Sequence, residues 1–457
     1  MSTPSGDLHA KIGIARADIT PSLTARWKLW GAAAADTAIG IHRPLTATAL
    51  AVVTDEERLV IVSLDVCEWS DPADERRVRE QIRQACGVEP DHLLLHSTHT
   101  HSAQAPCLSQ AGLPGGEHAA ETLELIGRRS AEAAAQAIAN ATACVLSWGT
   151  GRSPLAAHRD QLVDGRPVVG LDPDVAADDT VTVGRATDAD GRVRAVIVSY
   201  ACHPTVLGWQ NRLVSPDYVG ALRELVEERH PGALTLFLQG ASGELAPARQ
   251  YRTEAAEADR AGRALGHSVL ATLELMAPAD HRLRFREVVE SGAPLGVWTD
   301  QPVTGTDGVR VQRLDLSLPR RREPSVIADD LPDHVRAERA ARAALVAQAA
   351  GDADTLDYPV WLWELGEAIV VAHPGEAYSW LATALRQAVA PRPLVVANLT
   401  NGAGAFYLPE RPAYDRGGYT VNQTPAGPGS LERIAAAVRS GLGLTGDREE
   451  PSTRSSS

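Results

Sequence analysis

Apolar runs rich in β-branched residues alternate along the chain with stretches that repeat apolar positions at helical spacing. The runs have the length and composition of buried strands and lie at 49–53, 59–63, 92–96, 193–200, 234–238 and 368–372. The stretches with the period of amphipathic helices lie at 75–86, 119–139, 216–228, 332–348 and 431–440. Strands that alternate with helices predict an α/β fold, so we expect a single large domain with mixed sheets flanked by helices.

Two regions add detail to this alternation. Between 281 and 320 the strand signals are short and rich in loops, and the charged helix at 332–348 that follows is predicted to be an insertion or a lid. The helix at 216–228 is expected to carry Pro216 in its first turn. Because neither a linker nor an internal repeat divides the chain, we expect one domain over residues 9–445 and a disordered tail over 446–457.

Composition and charge narrow the class of protein. The chain of 457 residues carries a formal net charge of −14, which argues against binding to nucleic acid or to an anionic membrane surface. No basic segment followed by an apolar stretch starts the sequence, and no window approaches the roughly 18 apolar residues of a membrane helix. Five scattered cysteines without a C-x-x-C pair argue against a disulfide framework and a cysteine zinc cage. We expect a soluble, cytoplasmic protein, and its oligomeric state stays open.

Three polar clusters come directly after predicted strands, where α/β proteins usually bind their ligands. His99 and His101 follow the third of the strands above, His203 follows the fourth, and Glu376 follows the last. On an extended backbone residues two apart point the same way, so His99 and His101 are expected to face one site. Two histidines and a carboxylate form a common catalytic zinc site with one position open for water. From the residues alone, structural roles for the histidines and a turn before a helix for Glu376 remain open as alternatives.

Several short segments occur in the order found in one family of hydrolases. They are Gly13 to Pro21 (GIARADITP), Ser63-Leu64-Asp65, Thr98 to Ser102 (THTHS) and Pro374-Gly375-Glu376. With the segment of His203 between the last two, the chain resembles the N-terminal domain of neutral ceramidases over about residues 9–440. The resemblance implies the neutral-ceramidase fold and a zinc-dependent hydrolase that cleaves an amide bond.

The resemblance also implies a ligand set and further active-site groups. The implied Zn²⁺ ligands are His99, His203, Glu376 and Tyr407. Tyr407 is placed by the spacing of three tyrosines after the turn at 401–404, of which we expect Tyr414 only to pack its loop. Tyr419 matches the family's tyrosine near the scissile carbonyl, and Arg159 matches its active-site arginine.

The implied mechanism uses a zinc-bound hydroxide, since zinc lowers the pKa of its water to about 7. His101 would carry the proton to the leaving amine, and Tyr419 and Arg159 would stabilise the developing oxyanion. Asp65 fits a carboxylate that orients a metal-bound histidine and, equally, a cap at a strand end. An esterase or lactonase on the same zinc, a non-haem iron enzyme and an inactive binding protein remain open alternatives.

Two departures from the family affect the expected substrate. Neutral ceramidases carry Gly-Asp-x-Ser-Pro with a serine required for activity, whereas residues 243–247 read Gly-Glu-Leu-Ala-Pro, so Ala246 excludes a serine acyl-enzyme there. Nothing in the sequence transfers that role to Ser242. The chain also ends near the point where ceramidases continue into an immunoglobulin-like domain, so we expect a short form without it. With no membrane-facing feature, we expect a small soluble substrate rather than ceramide and no membrane partner.

Overall fold

The structure of the chain is a computed structural model. It describes residues 6–27, 29–104, 107–323, 325, 327, 331–404 and 406–444. The predicted disordered tail over 446–457 lies outside the described residues.

Strands and helices alternate through the described residues. The strands are β1 (Leu8–Asp18), β2 (Gly40–Ile41), β3 (Thr46–Val53), β4 (Arg58–Leu64), β5 (Leu93–Ser97), β6 (Thr142–Arg152), β7 (Ala156–His158), β8 (Asp160–Val163), β9 (Arg166–Val169), β10 (Thr180–Asp188), β11 (Val193–Tyr200), β12 (Leu213–Val214), β13 (Leu234–Gln239), β14 (Leu245–Pro247), β15 (His281–Val289), β16 (Leu295–Pro302), β17 (Val309–Pro319), β18 (Thr355–Leu365), β19 (Ala368–Ala372), β20 (Glu376–Ala377), β21 (Leu394–Ala397) and β22 (Tyr407–Leu408). The α-helices are α1 (Pro72–Cys86), α2 (Ala119–Ala139), α3 (Tyr218–Arg229), α4 (Ala255–Leu275), α5 (Asp333–Ala350), α6 (Trp380–Val389), α7 (Arg411–Arg416), α8 (Tyr419–Asn422) and α9 (Ser430–Gly441). The predicted α/β class is confirmed.

Two mixed sheets form the centre of the fold. The larger has eight strands in the order β13-β11-β10-β6-β1-β3-β4-β5, and the smaller has four in the order β17-β18-β19-β21. In the larger sheet β4 pairs parallel with β5 and β11 parallel with β13, and in the smaller β19 pairs parallel with β21. These parallel strands are the ones that lead into the polar clusters.

The two sheets pack face to face between helices. The inner face of the larger sheet packs on the smaller sheet, with Ile12 and Trp363 in the shared core. The outer face of the larger sheet is covered by α1, α2, α3 and α4, and the outer face of the smaller sheet by α6 and α9. Strand β11 is therefore buried on both faces, which explains its unbroken apolar run.

Each predicted strand or helix corresponds to an observed element of the same type, and the predicted and observed bounds agree within three residues. Two expectations were wrong. The region from 281 to 320 holds three long strands. Much of their length is exposed, so polar residues interrupt the continuous apolar run that marks a buried strand. Pro216 lies outside α3, since the side chain of Asp217 accepts a hydrogen bond from the backbone nitrogen of Tyr218 and starts the helix after the proline.

Across the ranges that the structure describes, no helix is both long and apolar enough to cross a lipid bilayer.

Candidate metal centre

The candidate ligands follow strands from both sheets. His99 comes after β5 and His203 after β11 of the larger sheet, while Glu376 comes after β19 of the smaller sheet. A bridge between His96 and Thr400 joins the two sheets at this end. Residues distant in the chain therefore meet beyond the strand ends, where α/β proteins commonly bind ligands.

Two of the predicted ligands, both histidines, approach one carboxylate oxygen of a third. Nε2 of His203 lies 2.9 Å from Oε2 of Glu376, and Nε2 of His99 lies 3.2 Å from the same oxygen. All three side chains are buried, and their ligand atoms lie within 4.8 Å of one another. This spacing allows the three atoms to bind a single metal ion.

The ring nitrogen Nδ1 of both His99 and His203 forms a hydrogen bond with a backbone carbonyl oxygen. Nδ1 of His99 lies 2.8 Å from the carbonyl oxygen of Cys67, and Nδ1 of His203 lies 3.0 Å from that of Leu245. A carbonyl oxygen only accepts hydrogen bonds, so each Nδ1 carries a proton, and in its neutral form each ring presents the lone pair of Nε2 to the glutamate. Histidines that bind a metal through Nε2 are commonly oriented in this way.

The charges of the cluster also fit a cation. Burial opposes ionisation of Glu376, yet His99 and His203 hold the pKa of this carboxyl well below its usual range. Burial lowers the pKa of His203 to about 3, which leaves it neutral. Burial also works against a charge on His99, but Cys67 and Glu376 raise the pKa of His99 well above its ordinary value. A divalent cation that displaces the proton of His99 would satisfy all three ligand atoms at once.

His101 joins the cluster from the same loop as His99. Its Nε2 lies 3.4 Å from Nε2 of His99, and the two rings meet edge to face with centroids 4.7 Å apart. Burial, and then the charge of His99, hold the pKa of His101 well below its usual value. The expected reason for this pairing was wrong, because His99 has a φ of 70° and a turn, not an extended strand, brings the rings together.

A second grouping of possible ligands contains Cys67, His99 and His101. Its ligand atoms also lie within 4.8 Å of one another. However, Sγ of Cys67 lies on the side of Nδ1 of His99, at 3.6 Å, and the carbonyl oxygen of Cys67 already accepts the proton of that nitrogen, whereas His101 approaches Nε2. Burial also raises the pKa of the Cys67 thiol, and cysteine binds metals as the thiolate. The cluster around Glu376 is therefore the better candidate.

Arg159 and Tyr407 lie beside the cluster. Nη2 of Arg159 donates to the carbonyl oxygen of Gly243 at 2.7 Å and to the phenol oxygen of Tyr407 at 3.1 Å. The backbones of Tyr407 and Glu376 pair in β22 and β20, and the ring of Tyr407 stacks on that of His203 at 6.3 Å. Both residues are thus next to the ligands, and coordination by Tyr407 stays a prediction.

Tyr419 lies on the open side of the site. It is 39% exposed, and its ring centroid is 5.6 Å from that of Tyr407. Its phenol oxygen accepts a hydrogen bond from Nη1 of Arg342 at 3.3 Å, which leaves its own proton available for another partner. Arg342 belongs to α5 and also donates to the carbonyl oxygen of Leu29 at 3.3 Å. Helix α5 therefore contacts α8 and the loop of Leu29 near the site, a position that fits the predicted insertion or lid.

Asp65 and Tyr414 are two further residues whose roles were predicted from the sequence. The carboxylate of Asp65 accepts from the backbone nitrogen of Thr46 at 2.8 Å and pairs with Arg223 at 2.7 Å. Since carbonyl oxygens occupy Nδ1 of both candidate ligands, the interpretation of Asp65 as their orienting carboxylate is wrong, and the strand-end role fits. Tyr414 donates to the carbonyl oxygen of Ala426 at 2.9 Å and packs against the core below the smaller sheet. It has the packing role that was predicted, but it lies in α7 and not in a loop.

The segment around Ala246 contributes through its backbone. The carbonyl oxygens of Gly243 and Leu245 bind the arginine and one histidine of the site, and Ala246 lies next to them in β14. The hydroxyl of Ser242 accepts a hydrogen bond from Nε2 of Gln239 at 2.5 Å. This segment therefore positions the site without any hydroxyl at residue 246.

Trp30, Trp209 and Tyr251 form an aromatic wall that was not predicted from the sequence. The centroid of Trp30 lies 4.9 Å from that of His101, and 6.4 Å and 5.7 Å from those of Trp209 and Tyr251. Trp209 is 37% exposed, so the aromatic wall extends from the cluster to the surface. No motif marks these residues, because they come from separate loops that only the fold brings together.

The fold and the site define an α/β protein with a buried group of two histidines and one glutamate that can hold a metal. Residues 11–236 match the model of the family described as neutral/alkaline non-lysosomal ceramidase, N-terminal. This match, over 226 of the 457 residues, is to the family that the sequence motifs indicated. The matched residues include both candidate histidine ligands, His101 and Arg159, and end before Glu376.

Solved structures extend the likeness in fold beyond the family match. The structure titled "Ceramidase complexed with C2" is 19% identical, with a TM-score of 0.68 over 97% of this chain and 77% of that chain. Neutral ceramidase from Pseudomonas aeruginosa is 18% identical, with a TM-score of 0.66 over 99% of this chain and 76% of that chain. None of the curated protein sequences compared with the chain matches it. The neutral-ceramidase fold thus covers nearly the whole chain.

Proposed function

We propose that the chain is a zinc-dependent hydrolase that cleaves the amide bond of an N-acyl amine. The observation that carries the proposal is the convergence of Nε2 of His99 and Nε2 of His203 on one carboxylate oxygen of Glu376. Tyr407, whose backbone pairs with that of Glu376, is the proposed fourth ligand. Nitrogen and carboxylate ligands with one open position are typical of catalytic zinc.

The substrate class follows from the relatives. Their names refer to ceramide, which is an N-acyl amine, and this supports an amide bond as the target. As the finer part of the proposal, we expect small soluble N-acyl amines to be preferred to ceramide. The net charge of −14 supports this preference, because it opposes binding to anionic membrane surfaces.

The proposed mechanism assigns a task to each group near the cluster. When bound, zinc lowers the pKa of its water to about 7 and supplies hydroxide for attack on a carbonyl carbon. Tyr419, whose phenol proton is not used by Arg342, and Arg159 hold the carbonyl oxygen as it becomes negative. Neutral His101 accepts the proton that the water releases when it becomes hydroxide. It then delivers this proton to the leaving nitrogen as the C–N bond breaks. The products are a carboxylate and a free amine.

Metal-free protein reloaded with single metals tests this function. The chain would be treated with a chelator, loaded with zinc or iron(II), and assayed for release of amine from short and long N-acyl amines, ceramide included, beside the matched esters. We expect amine release with zinc, and none from His203→Ala loaded in the same way. The control is His92→Ala, which alters a histidine in a short helix before β5.

The other outcomes separate the alternatives. Cleavage of the esters alone would replace the amidase by an esterase on the same site. Activity with iron(II) alone would identify a non-haem iron enzyme. Full activity in the chelated protein would contradict the metal site itself.

A further inference from the structure

Tyr419 lies on a segment that gives its side chain little support. It begins α8, a helix of only four residues, directly after Gly417 and Gly418, whose φ angles are 67° and 109°. Two successive glycines allow the backbone many conformations, and Tyr419 itself is 39% exposed. A donor to a developing oxyanion acts best when it is held in place before the reaction. A contact from outside α8 is therefore needed to fix this phenol.

Arg342 of α5 supplies that contact. Its Nη1 donates to the phenol oxygen of Tyr419 at 3.3 Å, which is the only hydrogen bond of this phenol within the described residues. The guanidinium uses an acceptor position of the oxygen and leaves the phenol proton free. Because hydrogen bonds in a chain polarise one another, a charged donor to the oxygen also makes the O–H group of Tyr419 a stronger donor.

Arg342 is itself fixed by further contacts. Its Nε donates to Oε1 of Glu338, one turn earlier in α5, at 3.0 Å, and its Nη2 donates to the carbonyl oxygen of Leu29 at 3.3 Å. The phenol of Tyr419, and after it Glu338 and Glu68, raise the pKa of the guanidinium, although burial opposes this shift. The guanidinium therefore stays charged and is held at a defined position.

Helix α5 also packs directly on the loop that carries part of the aromatic wall. A Cβ added to Gly31 would lie 2.8 Å from Cγ of Glu338, so the close approach of the helix requires a glycine here. Leu29, whose carbonyl oxygen accepts from Arg342, directly precedes Trp30 of the wall. One guanidinium thus joins α5 to the proposed oxyanion donor and to the loop of the aromatic wall.

We infer that Arg342 is a positioning residue of the active site, which holds Tyr419 where its phenol can donate to the oxyanion. The inference rests on the proposed function, from which the role of Tyr419 comes. Because Arg342 acts through Tyr419, its loss should slow the chemical step and leave zinc and substrate binding as they are. Helix α5 is by this inference a part of the active site and not a peripheral insertion.

A double-mutant cycle with Tyr419→Phe tests this role. We expect Arg342→Gln to lower kcat about 10-fold at nearly unchanged KM and zinc content, because the lost hydrogen bond comes from a charged group. In the Tyr419→Phe chain, which has no phenol to position, the same change should alter kcat less than about 2-fold. Arg339→Gln is the matched control, since it makes the same change at an exposed arginine of the same helix. It should leave kcat unchanged in both backgrounds.

Arg342→Lys adds a graded test. Its ammonium keeps the charge but lacks the planar fork that reaches Tyr419, Leu29 and Glu338 at once, so its kcat should lie between those of the wild type and Arg342→Gln. If Arg342→Gln loses its fold by circular dichroism, Arg342→Lys takes its place in the cycle. An unchanged kcat, an equal loss of kcat in both backgrounds, a loss of zinc or a change confined to KM would overturn the inference.

Amide hydrogen exchange separates this inference from the proposed function, because it needs no substrate. Exchange over residues 29–31 and 419–423 should be faster in Arg342→Gln than in the wild-type chain, and unchanged in Arg339→Gln. Faster exchange in a chain that cleaves no N-acyl amine would contradict the proposed function but not the hold of Arg342 on Tyr419. Unchanged exchange in Arg342→Gln would overturn the inference even for an active amidase.

Discussion

Nε2 of His203 and Oε2 of Glu376 lie 2.9 Å apart, although the two residues are 173 positions apart in the chain. The carbonyl oxygen of Leu245 holds the proton of His203 on Nδ1, so the facing atoms of this pair are both acceptors. Two buried acceptors at this distance repel unless a cation or a proton lies between them. His99 approaches the same oxygen, which makes the position suitable for a metal bound by three groups.

Loss of either histidine ligand should remove the metal. We expect wild-type protein to retain about one zinc per chain, and His99→Ala and His203→Ala to lose most of it together with activity. Metal analysis after dialysis measures this, with His92→Ala as the control. Retention of stoichiometric zinc by both ligand variants would contradict the assignment.

Tyr407 and Tyr419 should have separable roles. Tyr407→Phe is expected to weaken zinc binding while the histidines and Glu376 still hold some metal. Tyr419→Phe should keep its zinc and lower kcat on the order of 100-fold with little change in KM, because an oxyanion donor acts in the transition state. Zinc content and steady-state kinetics of both variants distinguish the two roles. Wild-type kinetics of Tyr419→Phe, or loss of its zinc, would show that its assignment is wrong.

A mechanism that uses water should leave no covalent intermediate on serine. Ala246 has no hydroxyl, and the hydroxyl of Ser242 accepts its hydrogen bond from Gln239. We therefore expect no labelling by a fluorophosphonate, and loss of turnover on addition of a chelator. Mass spectrometry of the treated protein provides the test. Stoichiometric label on Ser242 would show that a serine nucleophile operates at a shifted position.

The aromatic wall should act on substrate binding. Trp209 is partly exposed beside Trp30, so Trp209→Ala is expected to raise KM about 10-fold, since burial of part of a large apolar side chain contributes about 1.5 kcal/mol. The value of kcat and the zinc content should stay close to those of the wild type. Trp298→Ala removes another exposed tryptophan, in β16, and serves as the control. A fall in kcat at unchanged KM would place Trp209 in the chemical step instead.

Glu244 should make stability depend on pH. Burial raises the pKa of this carboxyl from 4.5 to about 8, and its oxygens accept from the backbone nitrogen of Ser379 at 2.8 and 3.0 Å. The folded chain thus keeps a proton that the unfolded chain releases above its lower pKa. The contribution to stability is complete below that value and is lost as the pH rises through about 8.

Glu244→Gln has no such proton, so its melting temperature should change less than that of the wild type between about pH 5 and about pH 9. Scanning calorimetry at several pH values measures the difference. Glu117→Gln, at an exposed residue, should behave as the wild type. Equal slopes for all three chains would show that Glu244 does not titrate in this range.

The sequence by itself determined the elements and the chemical groups of the candidate site. Burial of whole strands leaves an unbroken apolar run, as in β11 and β19, and the polar residues that follow them stand out locally. For this reason His203 and Glu376 could be named from the pattern together with the family motifs. The family match over residues 11–236 and the neutral-ceramidase fold agree with the resemblance that the motifs indicated, whereas metal binding by His203 and Glu376 stays a prediction.

Only the tertiary structure decided how these groups are held and what surrounds them. The carbonyl oxygen of Cys67, not the carboxylate of Asp65, orients His99, and backbone acceptors carry no side-chain signal in a sequence. The aromatic wall depends on contacts such as that of Trp30 with Trp209. Periodicity reports whether a residue has a buried side within its own element, whereas such contacts depend on how distant segments pack, which no local pattern records.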